Sequence, residues 1–187
     1  VEITSLLYAR KEVTNPSYSP DGKRIAFESS RCAYSEIWLC DRDGSNQREL
    51  THLRSPVTGT PKWSPDGQFI VFDARQRGRG DIFVVSAEGG DPRRITSGPG
   101  ESIVPYWSRD GQWIYFGADR SGEFQIWKMH PDGTGAVQVT RQGGFFAMES
   151  KDGSTLYYSK STRNGELWKV PAGGGVPLAQ RSIQRKA

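Results

Sequence analysis

The chain contains few of the residues on which catalytic and metal sites depend. Its 187 residues include two histidines, two cysteines and no Gly-x-Ser-x-Gly segment, so the nucleophile elbow of the α/β-hydrolases is missing. The spacing of an EF-hand calcium loop is also absent; Asp41-Arg42-Asp43-Gly44 comes nearest and is interpreted as a plain hairpin turn. From these absences we expect no catalytic residue, no metal ion and no cofactor. The chain is therefore predicted not to be an enzyme.

Long apolar segments and helical periodicity are missing as well. No run approaches the roughly 20 apolar residues that cross a bilayer, and the first residues do not resemble a signal peptide. Apolar residues do not recur with a period of 3.6 over any long stretch, which predicts that helices are nearly absent. We therefore expect an all-β protein without membrane insertion, and the residues alone leave its compartment open.

The charge is only mildly positive. Lys and Arg number 25 against 21 Asp and Glu, which gives a formal net charge of +4. Nucleic-acid-binding domains often carry a stronger and more clustered basic charge. We therefore expect no nucleic-acid partner, and interpret the charge as one that favours solubility.

The two cysteines flank a predicted hairpin loop at Arg31 to Ser35. If this loop centres on Ala33, Cys40 lies opposite Ala26. Cys32 is then too far from Cys40 for the Cα separation below ~7 Å that a disulfide requires. Both are predicted to be free thiols.

What the sequence does contain is a repeat. The segment Tyr18-Ser19-Pro20-Asp21-Gly22 returns as Trp63-Ser64-Pro65-Asp66-Gly67 and Trp107-Ser108-Arg109-Asp110-Gly111, and in weaker form as Glu149-Ser150-Lys151-Asp152-Gly153. The aspartates at 21, 66, 110 and 152 are separated by steps of 45, 44 and 42 residues. A period of about 40–45 residues with several short strands is typical of a β-propeller blade.

Further landmarks keep the same period. Second strands are predicted at Ile25–Phe27, Phe69–Phe72, Trp113–Phe116 and Leu156–Tyr158, and third strands at Ile37–Leu39, Ile82–Val85, Ile126–Met129 and Leu167–Val170. The aromatic residues of the third strands, Trp38, Phe83, Trp127 and Trp168, are predicted to be core residues. A Leu-Thr, Ile-Thr or Val-Thr pair closes three of the units. Four blades are predicted, at approximately 15–51, 60–96, 104–140 and 147–181.

The pattern Pro-x-Trp-Ser-Pro-Asp-Gly, then Ile-x-Phe, then Ile-Trp or Ile-Phe, then Leu-Thr or Ile-Thr resembles the repeat of TolB-type β-propellers over roughly residues 15 to 180. This resemblance implies a single propeller region over 1–187, built of four-stranded antiparallel blades and belonging to a larger or oligomeric propeller. It specifies function weakly, because the repeat occurs in TolB, in propellers attached to winged-helix regulators and in the gating propellers of prolyl oligopeptidases. Similarity to TolB favours a periplasmic or other extracytoplasmic location.

Five candidate closing strands serve four sets of the other three. Residues 1–5 match the closing strand of a preceding blade or of the last one, and Val176–Arg181 offer another. A truncated propeller, two arcs pairing into one ring, and a closed four-bladed ring all remain open. An arc would expose unpaired strand edges, through which a homo-oligomer could form.

Arginines concentrate at one predicted end of the propeller. In an antiparallel blade the second-to-third strand loops and the links between blades share an end, because strand direction alternates. The candidate partner-binding residues at that end are Arg54, Arg75, Arg77, Arg79, Arg120, Arg141 and Arg163. A guanidinium group presents a planar fork suited to carboxylates. The alternative is a loop surface that is merely solvated.

The leading functional hypothesis is a non-catalytic interaction module that binds a protein or an acidic peptide at this end. Tyr34, Phe145 and Phe146 lie at the same predicted end, where they would either add apolar contact to a partner or pack between blades. The alternative hypothesis is the substrate-gating propeller of a prolyl-oligopeptidase-like serine peptidase whose catalytic domain is absent from this sequence. His52 and His130, predicted at opposite ends of the propeller, are interpreted as ordinary surface histidines.

Overall fold

The structure is a computed structural model that describes residues 13–76, 78–160 and 167–173. These residues form fifteen β-strands in four antiparallel sheets, each with its strands in chain order, which confirms the all-β propeller class. Within the described ranges there is no helix with the length and apolarity needed to span a bilayer. We refer to the sheets as blades 1 to 4 in chain order.

Blade 1 consists of β1 (Val13–Tyr18), β2 (Arg24–Ser29), β3 (Glu36–Asp41) and β4 (Arg48–Glu49), and blade 2 of β5 (Thr58–Trp63), β6 (Phe69–Ala74), β7 (Asp81–Ser86) and β8 (Arg93–Arg94). Blade 3 consists of β9 (Ser102–Trp107), β10 (Ile114–Ala118), β11 (Gln125–Met129) and β12 (Val137–Gln138), and blade 4 of β13 (Phe146–Glu149), β14 (Thr155–Ser159) and β15 (Leu167–Pro171). The two candidate closing strands, 1–5 and 176–181, lie outside the described residues.

The chain divides into two compact units between Ser97 and Gly98, so that blades 1 and 2 form one unit and blades 3 and 4 the other. In the first unit a buried cluster joins both blades and contains Ala26, Ile37, Leu39, Leu50, Trp63, Ile70, Phe72, Ala74, Phe83, Val85 and Ala87. In the second unit the corresponding cluster contains Tyr115, Ile126, Val139, Ala147, Leu156, Tyr158 and Val170. Neighbouring blades of a unit thus bury their facing apolar surfaces against each other, as stacked repeats must.

The repeated Ser-x-Asp-Gly segment closes the first hairpin of each blade in the same way. In blade 1, Ser19 Oγ donates to Asp21 Oδ1 at 2.6 Å, and the backbone N–H of Lys23 donates to the same oxygen at 3.1 Å. Gly22 adopts a φ of 68°, a region that glycine enters without strain. The corresponding bonds in the other blades join Ser64 to Asp66, Ser108 to Asp110 and Ser150 to Asp152.

These hydrogen bonds favour the ionised carboxylate. They lower the pKa of Asp21, Asp66 and Asp110, with the serine hydroxyl as the largest cause and a backbone N–H as the next. The pKa of Asp152, which accepts bonds from Ser150 and Ser154, falls to about 2. The Asp-Gly repeat is therefore a turn device, as the sequence indicated.

A second repeated device explains the closing threonines. Thr51 Oγ1 accepts a hydrogen bond from the backbone N–H of Ile37 at 2.9 Å and donates to Glu36 Oε2 at 2.6 Å. Thr96 makes the same two bonds with Ile82 and Asp81, and Thr140 makes them with Ile126 and Gln125. The polar residue that begins each third strand is buried in all three blades. Each threonine therefore fastens the end of its blade to the start of the third strand.

The contact between paired blades uses different residues in the two units. In the first, Trp63 is buried beside Ala26, and its Nε1 donates to Ser17 O at 2.9 Å. In the second, the residues at the corresponding strand positions are Glu149 and Tyr115, and Tyr115 Oη donates to Glu149 Oε1 at 2.7 Å. The large Trp63 and the small Ala26 of the first unit are thus replaced in the second unit by a hydrogen-bonded tyrosine and glutamate. Glu149 departs from the sequence repeat, and its hydrogen bond to Tyr115 accounts for that departure.

Two sequence predictions need correction. Cys40 pairs with Ile25 and not with Ala26, because Ser29 pairs with Glu36 and the hairpin loop between them is longer than expected. Both cysteines are free, as predicted; Cys32 is exposed and Cys40 is buried. Of the four third-strand aromatic residues, Phe83 is buried, but Trp38, Trp127 and Trp168 are only half-buried. Isoleucines and phenylalanines on the second and third strands fill the core more completely.

Candidate functional site

In both units the loop between the second and third strands lies against the link that enters the same blade. The backbone N–H of Arg75 donates to Val57 O at 2.9 Å and to Ser55 Oγ at 3.1 Å. In the second unit the backbone N–H of Glu101 donates to Asp119 Oδ1 at 2.7 Å. Loops and links therefore share an end within each unit. We call this the loop end of a unit.

The predicted arginines of the first unit differ in how far their charge is engaged. Arg54 is exposed, with its backbone N–H held by Glu36 Oε1 at 2.6 Å. Arg75 is half-buried, on the loop beside the link that follows Arg54. Arg79 Nε lies 3.9 Å from Asp81 Oδ2, which also accepts a bond from Arg94 at 3.3 Å. Arg77 lies outside the described residues. The positive charge of Arg79 is thus partly neutralised, whereas Arg54 points its charge outward.

The second unit shows a similar division. The guanidinium of Arg120 lies over the rings of Phe116 and Trp127, at 5.2 and 5.6 Å from their centroids. Arg141 is exposed, and Arg163 lies outside the described residues. Stacking on an aromatic face stabilises a cation and holds it in place. Arg120 therefore has a packing role that its position in a loop did not suggest.

The same arrangement recurs in other blades. Arg31 lies over Trp38 at 4.5 Å and over Phe27 at 5.4 Å, and the Lys160 ammonium lies 3.4 Å from the Trp168 ring centroid. In each case a basic residue just after the second strand covers the aromatic residue of the third strand. Sequence reasoning did not find this pairing, although the recurrence of a basic residue at that position was visible.

A cleft of about 400 Å³ opens at the loop end of blade 1. It is lined by Cys32, Tyr34, Glu36, Glu49, His52 and Arg54. The β2–β3 loop supplies the first two residues, the start of β3 and the end of β4 supply the two carboxylates, and the link after β4 supplies the last two. Two of the residues near the rim have left-handed backbones, Ala33 at φ 79° and Arg54 at φ 52°. Non-glycine residues rarely adopt this conformation, and they do so more often at functional positions.

The acidic groups of the cleft are occupied by neighbours. Glu36, 2% exposed, accepts from Thr51 Oγ1 and from the Arg54 N–H, each at 2.6 Å. Glu49 Oε1 lies 3.6 Å from His52 Nδ1. The exposed residues that line the cleft are Cys32, Tyr34, His52 and Arg54.

Neither histidine belongs to a catalytic arrangement in the part of the chain that the structure describes. His52 contacts Glu49, and His130 stacks on Trp113 with ring centroids 4.1 Å apart while its Nδ1 lies 3.2 Å from Gln112 O. No serine hydroxyl or cysteine thiol is hydrogen-bonded to either imidazole within residues 13–76, 78–160 and 167–173. The same residues contain no group of three His, Cys, Asp or Glu side chains that could hold a metal ion.

A sequence model of the TolB β-propeller domain matches residues 2–172. No curated protein shows significant similarity to the chain.

Similar solved structures include TolB proteins and a peptidase. TolB from Acinetobacter baumannii is 24% identical with a TM-score of 0.77, over 92% of this chain and 44% of that one. A protein assigned to TolB from Agrobacterium tumefaciens is 20% identical with a TM-score of 0.73, over 91% of this chain and 81% of that one. A puromycin-hydrolysing peptidase from Mycobacterium tuberculosis is 17% identical with a TM-score of 0.67, over 85% of this chain and 29% of that one. At these identities the likeness shows the fold. The chain spans less than half of the Acinetobacter TolB and less than a third of the peptidase.

Proposed function

Because this chain belongs to the TolB β-propeller family, we propose that it is a non-catalytic module that binds a protein or peptide partner at its loop end. The partner would present carboxylates to the exposed arginines. The observation that carries the proposal is the position of Arg54, whose guanidinium is exposed while the nearby carboxylate of Glu36 is taken by backbone and hydroxyl donors. An exposed guanidinium on a rigid strand scaffold is suited to bidentate binding of a carboxylate.

Binding of an acidic partner is tested with a fluorescein-labelled hexapeptide of alternating Glu and Tyr, measured by fluorescence polarisation. The matched probe has Gln in place of each Glu. We expect the acidic peptide to bind at least about tenfold more tightly, with an affinity that falls as salt screens the arginines. Equal affinity for the two peptides, or no binding of either, would contradict the proposed function.

The position of the partner is tested with two substitutions on blade 1. Arg54→Gln removes a charge at the loop end, and Arg42→Gln removes one from an exposed residue in the β3–β4 turn, at the opposite end of the same blade. Both variants lower the net charge equally. We expect only the first to weaken binding, and an equal loss in both would indicate a non-specific attraction.

A second candidate is the substrate-gating propeller of a serine peptidase. It is favoured by the structural likeness to the puromycin-hydrolysing peptidase, of which this chain would correspond to one part. This candidate requires a Gly-x-Ser-x-Gly segment in the gene that encodes the chain. Sequencing the flanking gene decides between the two: an adjoining α/β-hydrolase region would support the gating propeller.

A further inference from the structure

Arg54, which lines the cleft at the loop end of blade 1, is held by different contacts from the other arginines of the loop ends. Arg79 shares Asp81 with Arg94, and the Arg120 guanidinium lies on an aromatic pair. Arg54 is held through its backbone instead, because Glu36 accepts its N–H at 2.6 Å. This bond fixes the left-handed turn from which the side chain extends and leaves the guanidinium itself to a ligand.

The remaining walls of the cleft add an apolar contact to this cation. Tyr34, which lines the cleft, is 45% exposed. Exposed aromatic rings beside an arginine are typical of the positions that dominate protein interfaces. The Glu49 carboxylate also lines the cleft, and His52, whose Nδ1 lies 3.6 Å from Glu49 Oε1, compensates its charge only when the imidazole is protonated.

From these contacts we infer that the blade 1 cleft is the anchoring subsite for one acidic residue and its aromatic or apolar neighbour in a partner polypeptide. The carboxylate is bound by Arg54, and the neighbouring side chain packs on Tyr34. The inference rests on the proposed function and narrows it from a row of loop arginines to one cleft. The volume of about 400 Å³ has room for a short segment of chain and not for a folded surface.

The cleft contains its own reporter. Cys32 lines it and is exposed, whereas Cys40 is buried and burial raises the pKa of its thiol. The thiolate is the reactive form, so iodoacetamide should modify Cys32 alone in the folded protein. A peptide that occupies the cleft covers Cys32. We therefore expect the hexapeptide of alternating Glu and Tyr, at saturation, to slow the alkylation of Cys32 at least about fivefold, and the Gln-containing peptide to leave the rate unchanged.

Two substitutions in the cleft and one control outside it locate the anchor. Arg54→Gln should weaken binding of the acidic peptide at least about tenfold and abolish protection of Cys32, while Arg42→Gln, at an exposed arginine at the opposite end of blade 1, should change neither by more than about twofold. Tyr34→Ala should weaken binding of the Glu-Tyr peptide but not of a Glu-Ala peptide. An unreactive Cys40 in each variant shows that blade 1 is folded.

The outcomes separate the inference from the function on which it rests. If the acidic peptide binds in preference to its Gln counterpart and is weakened by Arg54→Gln but not by Arg42→Gln, while Cys32 is not protected and Tyr34→Ala leaves binding of the Glu-Tyr peptide unchanged, the cleft is not the anchor and the proposed function stands. If the acidic peptide has no preference over its counterpart, the proposed function fails and the inference fails with it.

Discussion

Replacing Tyr115 by phenylalanine tests how the second unit joins its two blades. The Tyr115 side chain is 1% exposed, and its hydroxyl donates to Glu149 Oε1 at 2.7 Å. The other carboxylate oxygen of Glu149 accepts the backbone N–H of Arg109, also at 2.7 Å. Burial, followed by the bond to Glu149, raises the pKa of Tyr115 far above its ordinary value, so the phenol remains a donor at every pH at which the protein is handled.

The magnitude follows from what the substitution leaves behind. Glu149 is 7% exposed, so water cannot readily replace the lost hydroxyl. Leaving a buried acceptor without its donor costs about 1–3 kcal/mol, and the cost is larger when the acceptor is charged. We expect Tyr115→Phe to lower the free energy of unfolding by about 2 kcal/mol. In a chain of 187 residues this corresponds to a fall of roughly 4–8 °C in Tm.

The assay is urea denaturation followed by tryptophan fluorescence, with Tyr158→Phe as the matched control. Tyr158 is fully buried, and its hydroxyl has no hydrogen-bond partner among the described residues. Removing an unsatisfied buried hydroxyl should be neutral or stabilising, since the group lost water on folding and gained nothing in exchange. A loss below about 0.5 kcal/mol for Tyr115→Phe, or an equal loss for both variants, would refute the reasoning.

Three further predictions concern the repeated devices. Thr51→Val should lower the free energy of unfolding by about 1–3 kcal/mol, because the Ile37 N–H and the buried Glu36 both lose a partner. Thr58→Val should lower it little, because the buried Thr58 hydroxyl has no partner in the described chain. Thermal unfolding of the two variants side by side checks this. The double variant Tyr115→Ala/Glu149→Trp copies the Ala26 and Trp63 pair of the first unit, and should be at least about 1 kcal/mol more stable than the sum of the two single losses predicts; additivity within error would reject this. The pKa of each turn aspartate is lower in the folded state, to about 2 for Asp152, so these groups contribute stability above the unfolded value of about 3.9 that is lost as the pH falls toward 2. Asp152→Asn should flatten the acid limb of a stability profile between pH 5 and about 2, and an unchanged limb would oppose it.

The strands and hairpin turns could be predicted from the sequence because their causes are local and recur. A Ser-x-Asp-Gly turn needs residues within a few positions of one another, and the apolar run after it repeats in every unit. The hydrogen bonds of the closing threonines could be predicted only in part. The threonine recurs, but its partner lies fifteen residues away and changes from Glu36 to Asp81 to Gln125, three residue types that share a side-chain oxygen and little else.

The sequence was enough to place the arginines at one end of a unit, but not to predict which guanidinium groups are engaged by other side chains. Strand direction is enough to put Arg54 and Arg79 at the same end, whereas the partner of each guanidinium depends on side chains that approach from other strands. Asp81 begins a third strand and faces Arg79 and Arg94, while the equivalent Glu36 turns one oxygen to a backbone N–H. The β2–β3 loop is one residue longer than expected, which shifts the pairing of Cys40 by one residue. Such a shift also affects which residues line the cleft of blade 1.

The comparison of Glu36 with Asp81 shows how one repeated position leads to two different surfaces. Both residues are buried and both accept a hydrogen bond from the closing threonine. The side chain of glutamate is one methylene longer, and Glu36 reaches the link and binds the N–H of Arg54. Asp81 has its second oxygen left for the guanidinium of Arg94 at 3.3 Å. Glu36→Asp should therefore remove the hydrogen bond to the Arg54 N–H and weaken binding of the acidic peptide, while the hydrogen bond from Thr51 is kept. A purely structural role for Glu36 does not produce this combination.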